Sequence, residues 1–289
     1  MPGWHIGVIG GSGLGQGAEL VDAQQIPVAS AFGDPSGPVT MGLLEGVRVS
    51  FIARHGEGHR LAPSQVNYRA NIDVLKRCGV TDVLAISAVG SLKEEFAPGD
   101  FVAVDQFIDR TTGRERSFFG PGFVAHVGLA DPVCPRLSER AAGAARAAGV
   151  RAHRGGCYLA IDGPQFSTRA ESALYRQWGA EVIGMTAMPE ARLAREAELP
   201  FALLGMVTDY DCWREGAAVE ASAVLDVMRA NAQAARAALR HFVKKLPAER
   251  AASPIDSALD RAIVTPREQW EASAIARLDA VAGRLFRSN

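Results

Sequence analysis

Cysteine is scarce in this chain. The four copies, Cys78, Cys134, Cys157 and Cys212, lie far apart and none sits in a CxxC pair. That spacing excludes a zinc-cluster reading and a disulfide framework, and it fits a reduced, cytoplasmic protein. A dominant charge is also missing. The formal net charge is −1 over 289 residues, so no global field recruits nucleic acid or an anionic membrane. No apolar stretch approaches the length of a membrane span. The first residues, MPGWHIGVIGG, have no basic region and no long apolar segment of a signal peptide. Internal repeats are absent as well.

What remains is ordinary globular composition, 48% hydrophobic and 22% charged, with ample chain for a buried core. Short apolar runs rich in Val and Ile recur at 6–9, 47–53, 83–87, 101–104, 157–161, 182–185 and 201–207. Helical periodicity falls between several of them, at 67–78, 136–148, 168–178 and 190–198. Strands alternating with helices predict an α/β fold, with a central, mostly parallel or mixed twisted sheet flanked by helices. In such sheets ligands sit beyond the carboxyl ends of the strands. A long helix is expected from about 219 to 245, where Val224, Val227, Met228, Leu239, Phe242 and Val243 fall near helical spacing. The Pro- and Ala-containing stretch 246–266 reads as a linker or loosely packed segment. A last amphipathic helix is expected at about 267–286, so residues 1–245 form the main domain and 246–289 an extension.

Several polar motifs stand at predicted strand ends. In GVIGGSGLG, small residues let backbone N–H groups face an anion, and Ser12 adds a hydroxyl. A tight turn explains the same glycines. The match of residues 13–18 to GxGxxA makes a weak dinucleotide fingerprint, because the later acid, Asp34, lies in a turn. In ARHGEGHR, Arg54 carries a donor fork suited to phosphate, beside His55. His55 and His59 are four apart, but Gly56 and Gly58 argue against a helical metal pair, and no metal is expected. Ser87 and Ala88 end a third strand, and Thr186 follows Met185 at the end of another. Ser167 precedes Thr168-Arg-Ala-Glu171, which also reads as a capping box opening a helix. In TDYDCW, Asp209 and Asp211 stand where a nine-residue apolar run stops. Carboxylates beside a buried strand are costly unless something pairs with them. The plain alternative for Asp209 is a turn or helix-cap residue.

The motifs GGSGL, ARHGEGH, VNYRANI, SAVGSL, DQFIDRT, GPQFSTRAES, GMTAMPEARLAREAELP and TDYDCW occur in one order. In that order the chain resembles the 5′-methylthioadenosine phosphorylases, within the trimeric purine nucleoside phosphorylase group. The resemblance covers roughly residues 5–245, and the tail departs from the usual family end. It implies a nucleoside phosphorylase-like fold and phosphate-dependent cleavage of methylthioadenosine in purine and methionine salvage. It also implies inorganic phosphate as co-substrate, no cofactor, and a homotrimer. By resemblance, the acid matching Asp209 serves purine N7 and that matching Asp211 accepts from the 6-amino group. Ser167 matches a base contact, and Met185 the ribose site. Ser12, Arg54, His55, Ser87, Ala88 and Thr186 match the phosphate site. Ser12 and Ser87 stand where many members have Thr, which keeps the hydroxyl. His126, reaching across from the neighbouring subunit, and the helix positions Val219, Val224 and Leu225 match the methylthio region.

Three rival functions make different demands. A phosphorylase for 6-oxopurine nucleosides such as methylthioinosine or inosine needs a donor toward O6, typically Asn, where this chain has Asp209 and Asp211. A histidine phosphatase uses an RHGE motif after its first strand and a later catalytic histidine, and the rest of this chain does not match that pattern. A non-catalytic nucleoside-binding protein would be free to lose the phosphate motifs, and they are all present here.

Overall fold

Strand β5 (Asp82–Ser91) organises the molecule. In the computed structural model, which describes residues 3–11, 14, 20–214 and 221–286 and the side chains of all of these but 221–226, it lies at the centre of an 11-stranded sheet. Its first half pairs in parallel with β1 (His5–Gly10) through residues 82–85. Its end pairs antiparallel with β10 (Val182–Gly184) through Gly90 and Ser91. On its other side β11 (Phe201–Asp209) runs parallel along nearly its whole length. β1 also pairs in parallel with β4 (Val47–Ala53), which continues to β3 (Val39–Leu44) and β2 (Val21–Ile26). Beyond β10 lie β9 (Cys157–Ala160) and β7 (Gln106–Asp109), while β11 leads to β6 (Phe101–Val104) and β8 (Ala152–Arg154).

Helices cover both faces, and strand alternation decides which residues meet them. Val83, Ala85, Val89, Leu203 and Val207 join one buried cluster with α1 (Tyr68–Arg77) and α4 (Ala187–Glu196). Leu84, Ile86, Ala202, Leu204 and Met206 join the other with α2 (Pro135–Ala147) and α5 (Ala221–Lys244). Burial on both faces is why β5 and β11 read in the sequence as unbroken apolar runs. α3 (Arg169–Gln177) opens on the predicted capping box: the Thr168 hydroxyl accepts from the Glu171 N–H, and the Glu171 carboxylate accepts from the Thr168 N–H at 2.8 Å.

The C-terminal part differs from expectation. Residues 246–266 are not a loose linker, because Ile255, Leu259 and Ala262 are buried. The Arg250 guanidinium binds Asp82 and, at 2.6 and 2.8 Å, Asp256, and Asp82 also holds Arg136 at 2.8 Å. The expected single helix at about 267–286 is broken into a 3-10 turn (Arg267–Gln269), α6 (Ala272–Arg277) and α7 (Gly283–Phe286). Packing imposes the breaks. Trp270 is extended, its indole donates to the Thr265 carbonyl at 2.9 Å, and its ring meets Phe123 and Phe286. Bending the chain there lets Leu278, Val281 and Ala282 bury in the first cluster.

Candidate active site

The cleft follows from the change of partner along β5. Between Ala85 and Gly90, β5 has no strand paired to it on the β1/β10 side among the described residues. A cavity of about 470 Å³ occupies the opening, lined by Ile86, Ser87, Ala88, Val89 and Gly90. Residues that follow β1, β4, β9, β10 and β11 meet there.

After β4, Arg54 and His55 enter the wall. Arg54 is 1% exposed. Its Nε and Nη2 donate to the two Glu190 oxygens at 2.5 and 3.0 Å, and Nη1 donates to the Ile86 carbonyl at 3.1 Å. The fork expected to face phosphate is therefore spent on Glu190, a residue the sequence reading left unassigned. Nη2 also reaches the Ile9 carbonyl at 3.5 Å, which leaves one Nη1 hydrogen unengaged among the described residues. The His55 Nδ1 lies 2.9 Å from the Leu61 carbonyl, and its ring stacks on His59 at 4.1 Å. Burial, helped by the Arg54 charge, lowers the His55 pKa to about 4. The imidazole is neutral at neutral pH, and since a carbonyl only accepts, Nδ1 carries the proton.

β10 then runs back along the opening. Thr186 Oγ1 comes within 3.2 Å of Ser87 Oγ, joining hydroxyls from two strand ends. The Thr186 N–H donates to the Tyr158 hydroxyl at 3.3 Å. Gly184 is required for this, because a Cβ there would lie 2.1 Å from that hydroxyl. Met185 lays its thioether over Gly163, where a Cβ would meet the sulfur at 2.3 Å. Phe166 and Ser167 line the mouth, and the shielded Ser167 hydroxyl has no hydrogen-bond partner among the described residues.

The acids at the end of β11 are brought in by a β-bulge. The pairing slips between Val207, opposite Val89, and Asp209, opposite Gly90. In a regular strand Thr208 and Asp209 would face opposite sides of the sheet. The bulge turns both toward the cavity, as bulges beside active sites do. Asp209 accepts from the Thr208 hydroxyl at 2.6 Å and from the Asp211 N–H at 2.7 Å. Asp211 is 3% exposed, adopts φ 51°, and its Oδ2 has no partner among the described residues. Burial pushes the Asp211 carboxyl above its ordinary value against the opposing pull of the Ser172 hydroxyl, and the Asp209 charge adds to the rise. Gly90 sits against the pair: a Cβ there would lie 3.0 Å from Asp209 Oδ1.

The cavity thus gathers Arg54, His55, Ser87, Ala88, Ser167, Met185, Thr186, Asp209 and Asp211. Ser12 lies outside the described residues, although Gly11 and Leu14 on either side of it line the wall. Val219 and the side chains of Val224 and Leu225 also lie outside the description, while Met228 and Ala232 of α5 face the cavity. His126 is exposed and does not line the cavity of its own chain. Glu190, Tyr158, Thr208 and Gly90 were missed. Thr208, Gly90 and Glu190 lie inside the quoted TDYDCW, SAVGSL and GMTAMPEARLAREAELP and so carried a sequence signal, while Tyr158 carried none.

An α/β enzyme with a polar-ended cleft at the carboxyl ends of its central strands is the class that this fold and site define. Residues 5–244 match the phosphorylase superfamily. An S-methyl-5′-thioadenosine phosphorylase of Cereibacter sphaeroides is 52% identical over 285 residues, 98% of each chain. A crystal structure of a methylthioadenosine phosphorylase from an antarctic soil metagenomic library superimposes with a TM-score of 0.92 at 44% identity, covering 97% of this chain and 99% of that one. A Schistosoma mansoni methylthioadenosine phosphorylase in complex with adenine aligns with a TM-score of 0.78 at 37% identity, over 83% and 90% of the two chains. The chain belongs to the S-methyl-5′-thioadenosine phosphorylase family.

Proposed function

We infer that this chain catalyses the phosphate-dependent cleavage of 5′-methylthioadenosine to adenine and 5-methylthioribose 1-phosphate. The observation that carries the reading is the acid pair, turned into one cavity by the β11 bulge, with a buried Asp211 that keeps acceptor capacity beyond the nearby Ser172 hydroxyl among the described residues. A buried acceptor that is not fully used is costly, and a 6-amino group is a donor that would satisfy it. Purine is a poor leaving group, so Asp209 serves N7, by a proton or a hydrogen bond, as the glycosidic bond breaks. Phosphate meets Arg54, His55, Ser87, Ala88 and Thr186, together with Ser12, and attacks C1′. Ser167 contacts the base, Met185 underlies the sugar, and Val224, whose side chain is outside the described residues, is assigned to the methylthio group by the family resemblance alone. The relative crystallised with adenine supports the assignment of the base.

Inorganic phosphate is a co-substrate in this scheme and no cofactor is used. His126, exposed in its own chain, completes a neighbouring site in a homotrimer. Residues 1–245 hold the chemistry and 246–289 stabilise them. The enzyme works in the cytoplasm, in purine and methionine salvage; among the described residues no helix is long and apolar enough to cross a membrane.

The test is a panel of methylthioadenosine, adenosine, 5′-deoxyadenosine, methylthioinosine and inosine, each with and without phosphate. Adenine release from methylthioadenosine should require phosphate and yield a 1-phosphosugar. Equal turnover without phosphate would make the chain a hydrolase. Equal use of methylthioinosine would favour the 6-oxopurine alternative.

A further inference from the structure

Arg114 lies outside every motif given a role above, yet its side chain is 2% exposed and reaches the back of the cleft. Its Nη1 lies 2.7 Å from the Met185 carbonyl, 2.8 Å from that of Met188 and 3.2 Å from the Tyr68 hydroxyl. Its Nη2 lies 3.0 Å from the Asp162 carbonyl and 3.4 Å from that of Ile161. The nearest carboxylate contact is looser, Nε to Asp162 Oδ1 at 3.7 Å. A buried guanidinium used in this way binds backbone from two separate segments rather than a single acid.

Those two segments leave the ends of the paired strands β9 and β10, whose ladder closes with the Ile161 N–H donating to the Gly184 carbonyl at 2.9 Å, and both enter the nucleoside side of the cavity. Residues 185–188 carry the Met185 thioether, and residues 161–162 lead through Gly163 to Phe166 and Ser167. The two segments already touch where the Met185 sulfur lies over Gly163. Arg114 itself is fixed from both sides. Thr112 donates to the Asp162 carboxylate at 2.8 and 3.0 Å, and Ser117 and Phe118 each donate to Glu196 at 2.7 Å. The phosphate side has anchors of its own, although Thr186 lies inside the clamped 185–188 segment. Arg54 is held by Glu190, and Thr186 by Tyr158 and Ser87.

We propose that Arg114 is a positioning residue for the nucleoside half of the site, holding the Met185 wall and the Ser167 loop at the separation that the sugar and base require. The proposal rests on the reaction inferred above. A donor fork is needed, because an ammonium group cannot reach carbonyls on both walls in one geometry. Loss of the fork lets the walls separate, and misplacement of about 1 Å in a site can cost 10²-fold.

The experiment compares wild type, Arg114→Lys and Arg114→Ala, the last with and without added guanidinium ion at concentrations well below denaturing. Steady-state kinetics give kcat and separate KM values for methylthioadenosine and phosphate, with melting temperatures recorded in parallel. In folded Arg114→Lys we expect kcat/KM for nucleoside to fall by about 10- to 100-fold. The KM for phosphate should stay within about twofold, and guanidinium should recover part of the Arg114→Ala loss, as a small fork refills the vacated site. A purely structural residue would lower the melting temperature without splitting the two KM values. Wild-type nucleoside kinetics in folded Arg114→Lys, or parallel rises in both KM values, would overturn the proposal. Should Arg114→Ala fail to fold, the Arg114→Lys comparison decides alone. A wild type without phosphate-dependent activity would instead sink the underlying functional reading.

Discussion

Asp211→Asn should collapse the choice between 6-amino and 6-oxo purines without disturbing the fold. Asp211 sits at φ 51°, a left-handed conformation that Asn tolerates well, so the backbone has no reason to move. The side chain keeps its shape and loses its charge. For methylthioadenosine, a charge-assisted hydrogen bond becomes a neutral one, a loss of about 1 kcal/mol. For methylthioinosine, the wild-type carboxylate of Asp211, a residue only 3% exposed, faces O6 with no donor to offer it, a penalty of about 1–3 kcal/mol that the amide removes by turning its N–H₂ toward O6. The preference should therefore narrow by about 2–4 kcal/mol, roughly 30- to 700-fold at 1.4 kcal/mol per decade. The assay is kcat/KM for both nucleosides at saturating phosphate, in wild type and variant of matched melting temperature. The same carboxyl titrates above its ordinary value because it is buried, so acid reaches it early. Its protonated form donates to O6, and the wild-type preference should shrink as pH falls. An unchanged ratio in a folded Asp211→Asn protein would refute the reasoning and remove Asp211 from the base site.

Gly90→Ala places a methyl 3.0 Å from both Asp209 Oδ1 and Ile183 Cγ2, so it should push the carboxylate aside and lower kcat/KM by about tenfold or more in a folded protein; wild-type kinetics would show that Asp209 need not hold its place. Glu190→Gln removes the counter-charge and one of the two acceptors from a 1%-exposed Arg54 and should cost about 3–5 kcal/mol in urea denaturation, an effect that would be missing if the remaining amide oxygen and the carbonyls of Ile86 and Ile9 sufficed. His5 and His55 are both held near pKa 4 by burial, below an ordinary value near 6.5, so the unfolded chain binds more protons between those limits and stability is lost as pH falls through that window. Each contributes at most about 2 kcal/mol by pH 5, and His5→Gln should flatten the melting profile over that range if the reasoning holds. Arg250→Met leaves the 1%-exposed Asp82 with Arg136 alone and should cost about 3 kcal/mol, seen as a lower melting temperature with an unchanged KM for nucleoside; a selective change in KM would give the C-terminal segment a direct role in the site.

The parts legible in the sequence were those whose physics is local. β4 and β6 fall where their apolar runs fall, and Thr168 and Glu171 cap α3 as their spacing predicts. β2, with the sequence VDAQQI, stayed hidden because it lies at the end of the strand order, largely exposed, and has no apolar face to advertise it. β8 is three residues long and gave no period to read. The C-terminal helix was overdrawn because its apolar spacing records burial, and burial around Trp270 and Leu278 is achieved by bends rather than by one straight cylinder. In the site, the residue types were visible but their pairings were not. Arg54 reads as a free fork until Glu190, 136 positions away in sequence, is found against it.

That pairing changes how the proposed reaction handles charge. Arg54 is the one Lys or Arg among the described lining residues, and its charge is already matched by Glu190. His55 is neutral. A phosphate entering beside Ser87 and Thr186 would meet hydroxyls, a single guanidinium N–H and an uncharged ring, and so would keep most of its negative charge. Full neutralisation by a free arginine would tighten phosphate binding in the ground state and the transition state alike, and uniform binding does not speed the chemical step. A phosphate that retains its charge is worth more when the sugar becomes oxocarbenium-like, because the attraction appears only as positive charge develops at C1′. In the proposed reaction the Glu190 carboxylate, left unassigned by the sequence reading, would thus restrain ground-state affinity for phosphate while leaving the dianion free to act on the transition state.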